Sequence, residues 1–129
     1  EVPIRWSDVD RQGHVNNVSL AGYLQEARIL ATTSWSPGMR RAGNYLWVVV
    51  RQDIRYRRQV LPTQRSCRVH TALTRLGTSS MTLAGSIATE EGSALDAATV
   101  LVCVDPKTGA SVPIDDQTRQ ALSAYLVTV

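Results

Sequence analysis

Long hydrophobic runs are missing from this sequence. No apolar stretch approaches the roughly 20 residues that a membrane-spanning helix needs, so a helical membrane protein is excluded. The charged and apolar regions of a signal peptide are also missing. The chain opens inside a strand pattern with no starting Met, as a chain lacking part of its natural N-terminal segment would. Cysteine is scarce: Cys67 and Cys103 both sit in apolar strand patterns, with no Cys-x-x-Cys spacing. That excludes a disulfide framework and reads as two buried free thiols. With no secretion signal, the expected compartment is the reducing cytoplasm. Lysine is nearly absent, Lys107 being the single one among 14 cationic side chains. Aromatics are too sparse to interleave with basic residues, and no RNA- or DNA-binding motif is present, so nucleic acid is not an expected partner. There is no Gly-x-Ser-x-Gly elbow for a serine hydrolase.

What remains is a globular composition. Of 129 residues, 43% are apolar and 19% charged, which argues against disorder and for one domain over residues 1–129. The net charge of +3 is unevenly spread. Arginines 51, 55, 57, 58, 65, 68 and 75 face a single acid, Asp53, within 25 residues. Arginine's planar fork suits phosphates and carboxylates. The run therefore reads either as a solvated strand face with salt bridges to a partner subunit, or as the contact surface for a phosphate-bearing ligand.

Read in order, Val2 to Trp6 is a strand and Ser7 to Gly13 a loop. A helix starts near Asn17 or Val18, capped by Asn16 or Asn17, whose side-chain oxygen accepts an otherwise orphaned backbone N–H. Leu20, Leu24, Ala27 and Ala31 recur at helical spacing. Tyr23, Ile29 and Leu30 carry the apolar surface round the cylinder, which predicts a helix buried in a core. Pro37 and Gly38 end it. From Tyr45 the pattern has period two: Leu46, Val48, Val50, Gln52, Ile54 and Tyr56 alternate with Trp47, Val49, Arg51, Asp53, Arg55 and Arg57. Leu61-Pro-Thr is a turn. Further strands run from Arg65 to Leu76, through Met81 to Ile87, and from Leu95 to Asp105, the last apolar enough to be interior. A short helix capped by Asp115 or Asp116 follows, with Ala121, Leu122 and Tyr125 on its apolar side. Short connections predict antiparallel neighbours throughout, and one helix against a curved antiparallel sheet gives an α+β domain.

One stretch concentrates the chemistry: Trp6-x-Asp8-x-Asp10-x-x-Gly13-His14-Val15-Asn16-Asn17, followed by Tyr23-Leu24-x-Glu26-Ala27-Arg28. With Ile54-x-Tyr56 on the second strand, it resembles the hot-dog-fold acyl thioesterases of the 4-hydroxybenzoyl-CoA thioesterase type. The specific motif covers about a fifth of the chain, and the element order agrees across the rest. The resemblance implies a long helix wrapped by a curved sheet of about five strands, with a short C-terminal helix. It implies hydrolysis of an acyl-CoA or acyl-carrier-protein thioester without metal or cofactor, as in fatty acid metabolism. It also implies a homodimer with sites between subunits, or a homotetramer. By position, Asp10 matches the family's catalytic carboxylate. Asn17 matches the helix-start residue whose backbone N–H polarises the thioester carbonyl, and Gly13 keeps its place in the turn. Leu20 stands where many relatives carry tyrosine, which leans the acyl pocket towards an aliphatic chain.

Thioester hydrolysis needs an activated water or a nucleophile, and a group that stabilises the oxyanion. A carboxylate serves in the first role. Backbone N–H groups at a helix N-terminus serve in the second. Asp10 is therefore expected to be the general base or nucleophile, and the amides around Asn16, Asn17 and Val18 the oxyanion site. His14 either contacts the thioester carbonyl, holds Asp10, or is a turn histidine. Gly13, Leu20, Tyr23, Arg55, Arg57 and Arg58 are expected to contact substrate, the arginines through CoA phosphates or an acidic carrier protein. Asp8 is expected to bond loop amides or Arg11, and Glu26 to pair with Arg28 or a partner strand. Asp8, Asp10 and His14 do not make a metal site, because no fourth ligand follows at a sensible spacing. Two other functions share these features: an enoyl-thioester hydratase or dehydratase on the same fold, whose Asn-Pro-containing motif is absent, and a non-catalytic acyl-thioester binding module.

Overall fold

The computed structural model describes residues 1–36, 46–61 and 66–127. Its elements are β1 (Val2–Pro3), α1 (Asn17–Trp35), β2 (Leu46–Tyr56), β3 (Ser66–Leu76), β4 (Ser80–Thr89), β5 (Gly92–Val104) and α2 (Asp116–Ser123). The five strands form one antiparallel sheet in the order β1-β3-β4-β5-β2, and α1 packs on β1, β3 and β4. The predicted α+β layout of one long helix on a five-stranded antiparallel sheet is what is found. The breaker Pro37-Gly38, Tyr45, the Pro62-Thr63 turn and Arg65 lie outside the described residues.

The chain's local chemistry explains most element ends. Asn16 caps α1, its Oδ1 accepting the Val18 N–H at 2.8 Å, and Asp115 caps α2 by accepting the Thr118 N–H at 2.7 Å. The links 77–79 and 90–91 are short, so β3–β4 and β4–β5 are hairpins. The expected neighbour relation fails once: β2 and β3 lie on opposite sides of the β4–β5 pair, and β2 pairs with β5. Three strand spacings are roughly 14 Å, which the nine-residue link 57–65 spans with ease. Midway along that link Val60 is fully buried, its carbonyl accepting the Val15 N–H at 2.8 Å, so the link is tied to the loop that precedes α1.

Three bulges curl the sheet, at Val50, Thr74 and Ala94. The first corrects the face assignment made from alternation. Val50 is the extra residue, so Trp47 packs in the core before it and Ile54 packs in the core after it, although they stand seven positions apart, an odd number that places them on opposite faces of a regular strand. The opening strand is also shorter than expected. It ends at Pro3, and Trp6–Asp8 is a 3-10 turn because the Asp8 carboxylate reaches back to the Arg5 N–H at 3.0 Å.

Two apolar clusters hold the layers together. Leu20, Tyr23 and Leu24 of α1 meet Cys67, Ile87 and Leu95 of the sheet. Leu122 of α2 and Ile114 meet Leu73, Met81, Leu83, Leu101 and Cys103. Each such fully buried leucine is worth about 1.5–3 kcal/mol. Both thiols are free and buried, and burial pushes both above the usual thiol range. Gly85 lets α1 approach the sheet, since a Cβ there would lie 3.0 Å from Leu24 Cδ2. The helix is not buried all round, however: Val18 is 75% exposed and Leu30 63%. The concave face of one sheet covers only one side of α1. Tyr125 lies beyond α2 and stacks on Trp35 at 5.5 Å.

Candidate active site

The site is assembled by the loop between the 3-10 turn and α1. Gly13, at φ +77°, closes a tight turn in which its N–H donates to the Asp10 carbonyl at 3.1 Å. A bridge between Val9 and Val15 pins the two arms, and the Asp10 N–H donates to the His14 carbonyl at 3.0 Å. The Asp10 Oδ1 accepts N–H bonds from Gln12 at 2.9 Å and His14 at 3.4 Å. Its Oδ2 has no partner among the described residues. The half-buried carboxylate thus has one oxygen held by the turn and one without a partner among the described residues.

Asp8 has a different environment. It is 3% exposed and accepts from the Tyr23 hydroxyl at 2.5 Å, from the Ser19 hydroxyl at 3.4 Å, and from Arg5 through its backbone and its guanidinium. Burial pushes the Asp8 carboxyl up, but the hydrogen bonds from Tyr23 and Arg5 and the Arg5 charge outweigh it and hold it below the usual range. The same pairing, added to burial, drives the Tyr23 phenol far above its ordinary value. The expected Arg11 partner is replaced by Arg5, which the 3-10 turn places three residues back.

Asp10 opens onto a cavity of about 550 Å³ between the loop, the start of α1 and the link after β2. Gln12, Val15, Asn17 and Leu20 line it from the loop and helix side; Tyr56, Arg57, Arg58, Gln59 and Val60 line it from the other. The Tyr56 hydroxyl donates to the Asn17 carbonyl at 3.3 Å, tying the two walls. Arg57 pairs with Asp96, and Arg58 stands 4.0 Å from Glu91. Both arginines also line an adjoining open cavity of about 520 Å³.

Of the residues expected from sequence, Asp10, Asn17, Leu20, Arg57 and Arg58 are brought together in this cavity wall. Tyr23 is buried in the core, its hydroxyl on Asp8. Arg55 pairs across the ladder with Asp96, away from the lining. The His14 backbone holds Asp10, whereas its Nδ1 is buried with no hydrogen-bond partner among the described residues. Two of the three amides expected to serve an oxyanion are already used. The Asn16 N–H donates to the Asp8 carbonyl at 2.7 Å, and the Val18 N–H donates to the Asn16 cap. The Asn17 N–H alone of the three has no acceptor among the described residues. Gln12, Val15, Tyr56, Gln59 and Val60 were not expected there. Val15 and Tyr56 carried a sequence signal, through the Gly-His-Val-Asn-Asn and Ile-x-Tyr patterns. Among the described residues, no three His, Cys, Asp or Glu side chains are grouped to hold a metal ion. No helix among them is long and apolar enough to cross a membrane.

Comparison with known proteins gives this geometry a context. A family model described as the thioesterase-like superfamily matches residues 4–122. The chain is 31% identical over 123 residues to the uncharacterized protein YsmA of Bacillus subtilis (strain 168), covering 95% of this chain and 82% of that one. Among solved structures it is similar to a thioesterase from Thermus thermophilus complexed with coenzyme A and zinc. There the TM-score is 0.82 and the identity 29%, over 96% of this chain and 90% of the other. It is also similar to YbaW, a probable thioesterase of Escherichia coli, with TM-score 0.80, 28% identity, and 98% and 96% of the two chains covered. The fold shared with these structures is the hot-dog fold.

Proposed function

The chain belongs to the thioesterase-like superfamily, and on that premise we propose that it hydrolyses acyl thioesters of coenzyme A or of an acyl-carrier protein. The observation that carries the reading is the shared cavity: the Asp10 carboxylate and the start of α1 at Asn17 line one wall with the apolar Leu20. Asp10 acts as general base or as nucleophile. In the first case it takes a proton from a water whose oxygen attacks the thioester carbon. In the second its own oxygen attacks, and water then cleaves the anhydride. In both, the carbonyl oxygen becomes an oxyanion that the Asn17 N–H stabilises at the positive end of the α1 dipole. The C–S bond then breaks, and the thiolate leaves and is protonated from solvent. One such donor is worth roughly 3–4 kcal/mol of transition-state stabilisation.

Leu20 supports an aliphatic acyl group. Arg57 and Arg58, standing between two open cavities, support a phosphate-bearing carrier, and the coenzyme A bound by the Thermus thermophilus relative agrees with that choice. We read the working form as a homodimer or a dimer of dimers, located in the cytoplasm. Edge strand β2 supports this, since Leu46, Val48, Val49 and Val50 are all exposed on the strand that ends the order of the described sheet. The test is a hydrolysis screen over acyl-CoAs of graded length with one aromatic member, the released thiol being titrated. Turnover that peaks on an aliphatic chain is expected. No thiol release from any member, with binding retained, would mean a binding module instead.

A further inference from the structure

Asp8 is the most thoroughly satisfied carboxylate among the described residues, and the proposed chemistry leaves it unused. Its side chain joins three pieces of the chain. Arg5 donates from the segment before the 3-10 turn, Ser19 from the first turn of α1, and Tyr23 from the second. Its backbone joins a fourth, since the Asp8 carbonyl accepts the N–H of Asn16, the helix cap, at 2.7 Å. The loop 9–15 therefore leaves and returns through one residue. Asp10 sits two residues along one arm and Asn17 one residue beyond the other. The distance between them is set by how firmly the two arms are closed.

From this geometry we infer that Asp8 and Tyr23 form a positioning clamp for the Asp10 and Asn17 pair. The clamp acts on turnover by fixing the Asn17 N–H against the Asp10 carboxylate, not by touching substrate. Neither side chain lines the cavity. The inference rests on the hydrolase reading for its kinetic consequence and on the hydrogen bonds alone for its structural one. The strength of the arrangement comes from the charge on Asp8, since hydrogen bonds to an ionised acceptor are roughly twice as strong as neutral ones. Preorganisation of this kind matters because a misplacement of about 1 Å at a reacting pair costs on the order of 100-fold in rate. The Arg5 amide, the Arg5 guanidinium and the two hydroxyls converge on one buried carboxylate, more than is needed to end a short 3-10 turn. All of them reach it from outside the reacting loop.

The experiment compares wild type, Tyr23→Phe, Asp8→Asn, the double variant and the milder Ser19→Ala. Each is measured for steady-state kinetics on an acyl-CoA, for binding of a non-hydrolysable thioether analogue, and for backbone hydrogen exchange over residues 8–18. Tyr23→Phe is expected to lower kcat about 10-fold while KM and analogue affinity stay within about twofold. The Asn16 amide of this variant, which donates to the Asp8 carbonyl, is expected to exchange at least about 10-fold faster, with the middle of α1 unchanged. The double variant is expected to lose no more kcat than Asp8→Asn alone, because both act through one unit. Should Asp8→Asn fail to fold, Ser19→Ala carries the test with a smaller change of the same kind. Unchanged kcat per folded molecule in Tyr23→Phe would overturn the inference and leave Asp8 as a purely structural group. So would exchange that rises evenly along the helix. If wild type releases no thiol from any acyl-CoA, the hydrolase reading fails, and the exchange pattern still decides the clamp.

Discussion

Replacing Asp8 with alanine takes away the acceptor that Tyr23, Ser19 and Arg5 share, and the structure sets the cost. The Tyr23 hydroxyl is the main loser, since Tyr23 is 3% exposed and its hydroxyl donates to Asp8. A buried hydroxyl left unsatisfied costs about 1–3 kcal/mol, and loss of the bond holding the 3-10 turn adds about 1 kcal/mol. The Arg5 guanidinium adds little. Its side chain is 74% exposed, so water solvates it, whereas breaking a fully buried ion pair costs about 3–5 kcal/mol. The sum is about 2–4 kcal/mol, or roughly 6–20 °C in melting temperature for a chain of this size. The pH dependence is a sharper check. The Asp8 carboxyl is held low in the fold, while in the unfolded chain it titrates near its ordinary value of about 3.9. The unfolded state therefore takes up the proton first on acidification. The stability from the Asp8 charge is complete above about pH 5 and is lost as pH falls through 4 towards the folded value. Asparagine at this position has no such charge to lose. Urea midpoints followed by circular dichroism should differ most between wild type and Asp8→Asn at neutral pH, the gap narrowing by about pH 3. A gap that stays constant or widens in acid would mean that the Asp8 charge does not stabilise the fold, and an Asp8→Ala protein that melts within about 2 °C of wild type would mean that its hydrogen bonds do not either.

Other perturbations probe the helix cap, the sheet edge and the arginines. Asn16→Ala removes the cap on the Val18 N–H and should cost about 1 kcal/mol in thermal unfolding, while Asn16→Gly should cost only a few tenths. Placing two charges on the exposed edge strand, Val48→Lys with Val50→Lys, should leave the far-UV spectrum intact and shift the protein to monomer in light scattering. Replacing both Arg57 and Arg58 with alanine should raise KM for an acyl-CoA about 10-fold and flatten its salt dependence. An unchanged KM between low and high salt in both proteins would remove the arginines from substrate binding.

Much of the fold was legible because its signals are local. The Asn16 cap, the Asp115 cap, the period-two runs and the Gly13 turn each depend on a few neighbouring residues, and each falls where the pattern puts it. The residues that gather at the cavity were legible to the same extent. Asp10, Asn17 and Leu20 belong to one continuous loop and helix start, so their meeting in one wall follows from chain order. What was not legible depends on register or distance. The bulge at Val50 reverses the inward face of β2, and no alternation count reveals an inserted residue. The crossing of the link 57–65 brings Val60, Gln59 and Tyr56 to the cavity, and it depends on β2 choosing β5 as its partner. Tyr23 lies one helical turn beyond Ser19. Whether it faced substrate or a buried acid was decided by the 3-10 turn, which puts Asp8 under the helix. Of the three N–H groups at the start of α1, that of Asn17 alone is left without an acceptor among the described residues for a similar reason, since the acceptor of the Asn16 N–H is a carbonyl from across the loop.

If Asp10 supplies the carboxylate chemistry of a thioester hydrolase, Asp10→Asn should remove that chemistry and little else. Asparagine preserves the turn, since its Oδ1 can still accept the Gln12 and His14 N–H bonds that Asp10 accepts now. Only the negative charge and the second acceptor oxygen are lost. Thiol release from the best acyl-CoA of the screen should fall by about 10²–10⁴-fold in kcat. The melting temperature and the affinity for a thioether analogue should stay close to wild type. Full turnover by Asp10→Asn would mean that Asp10 is neither the base nor the nucleophile.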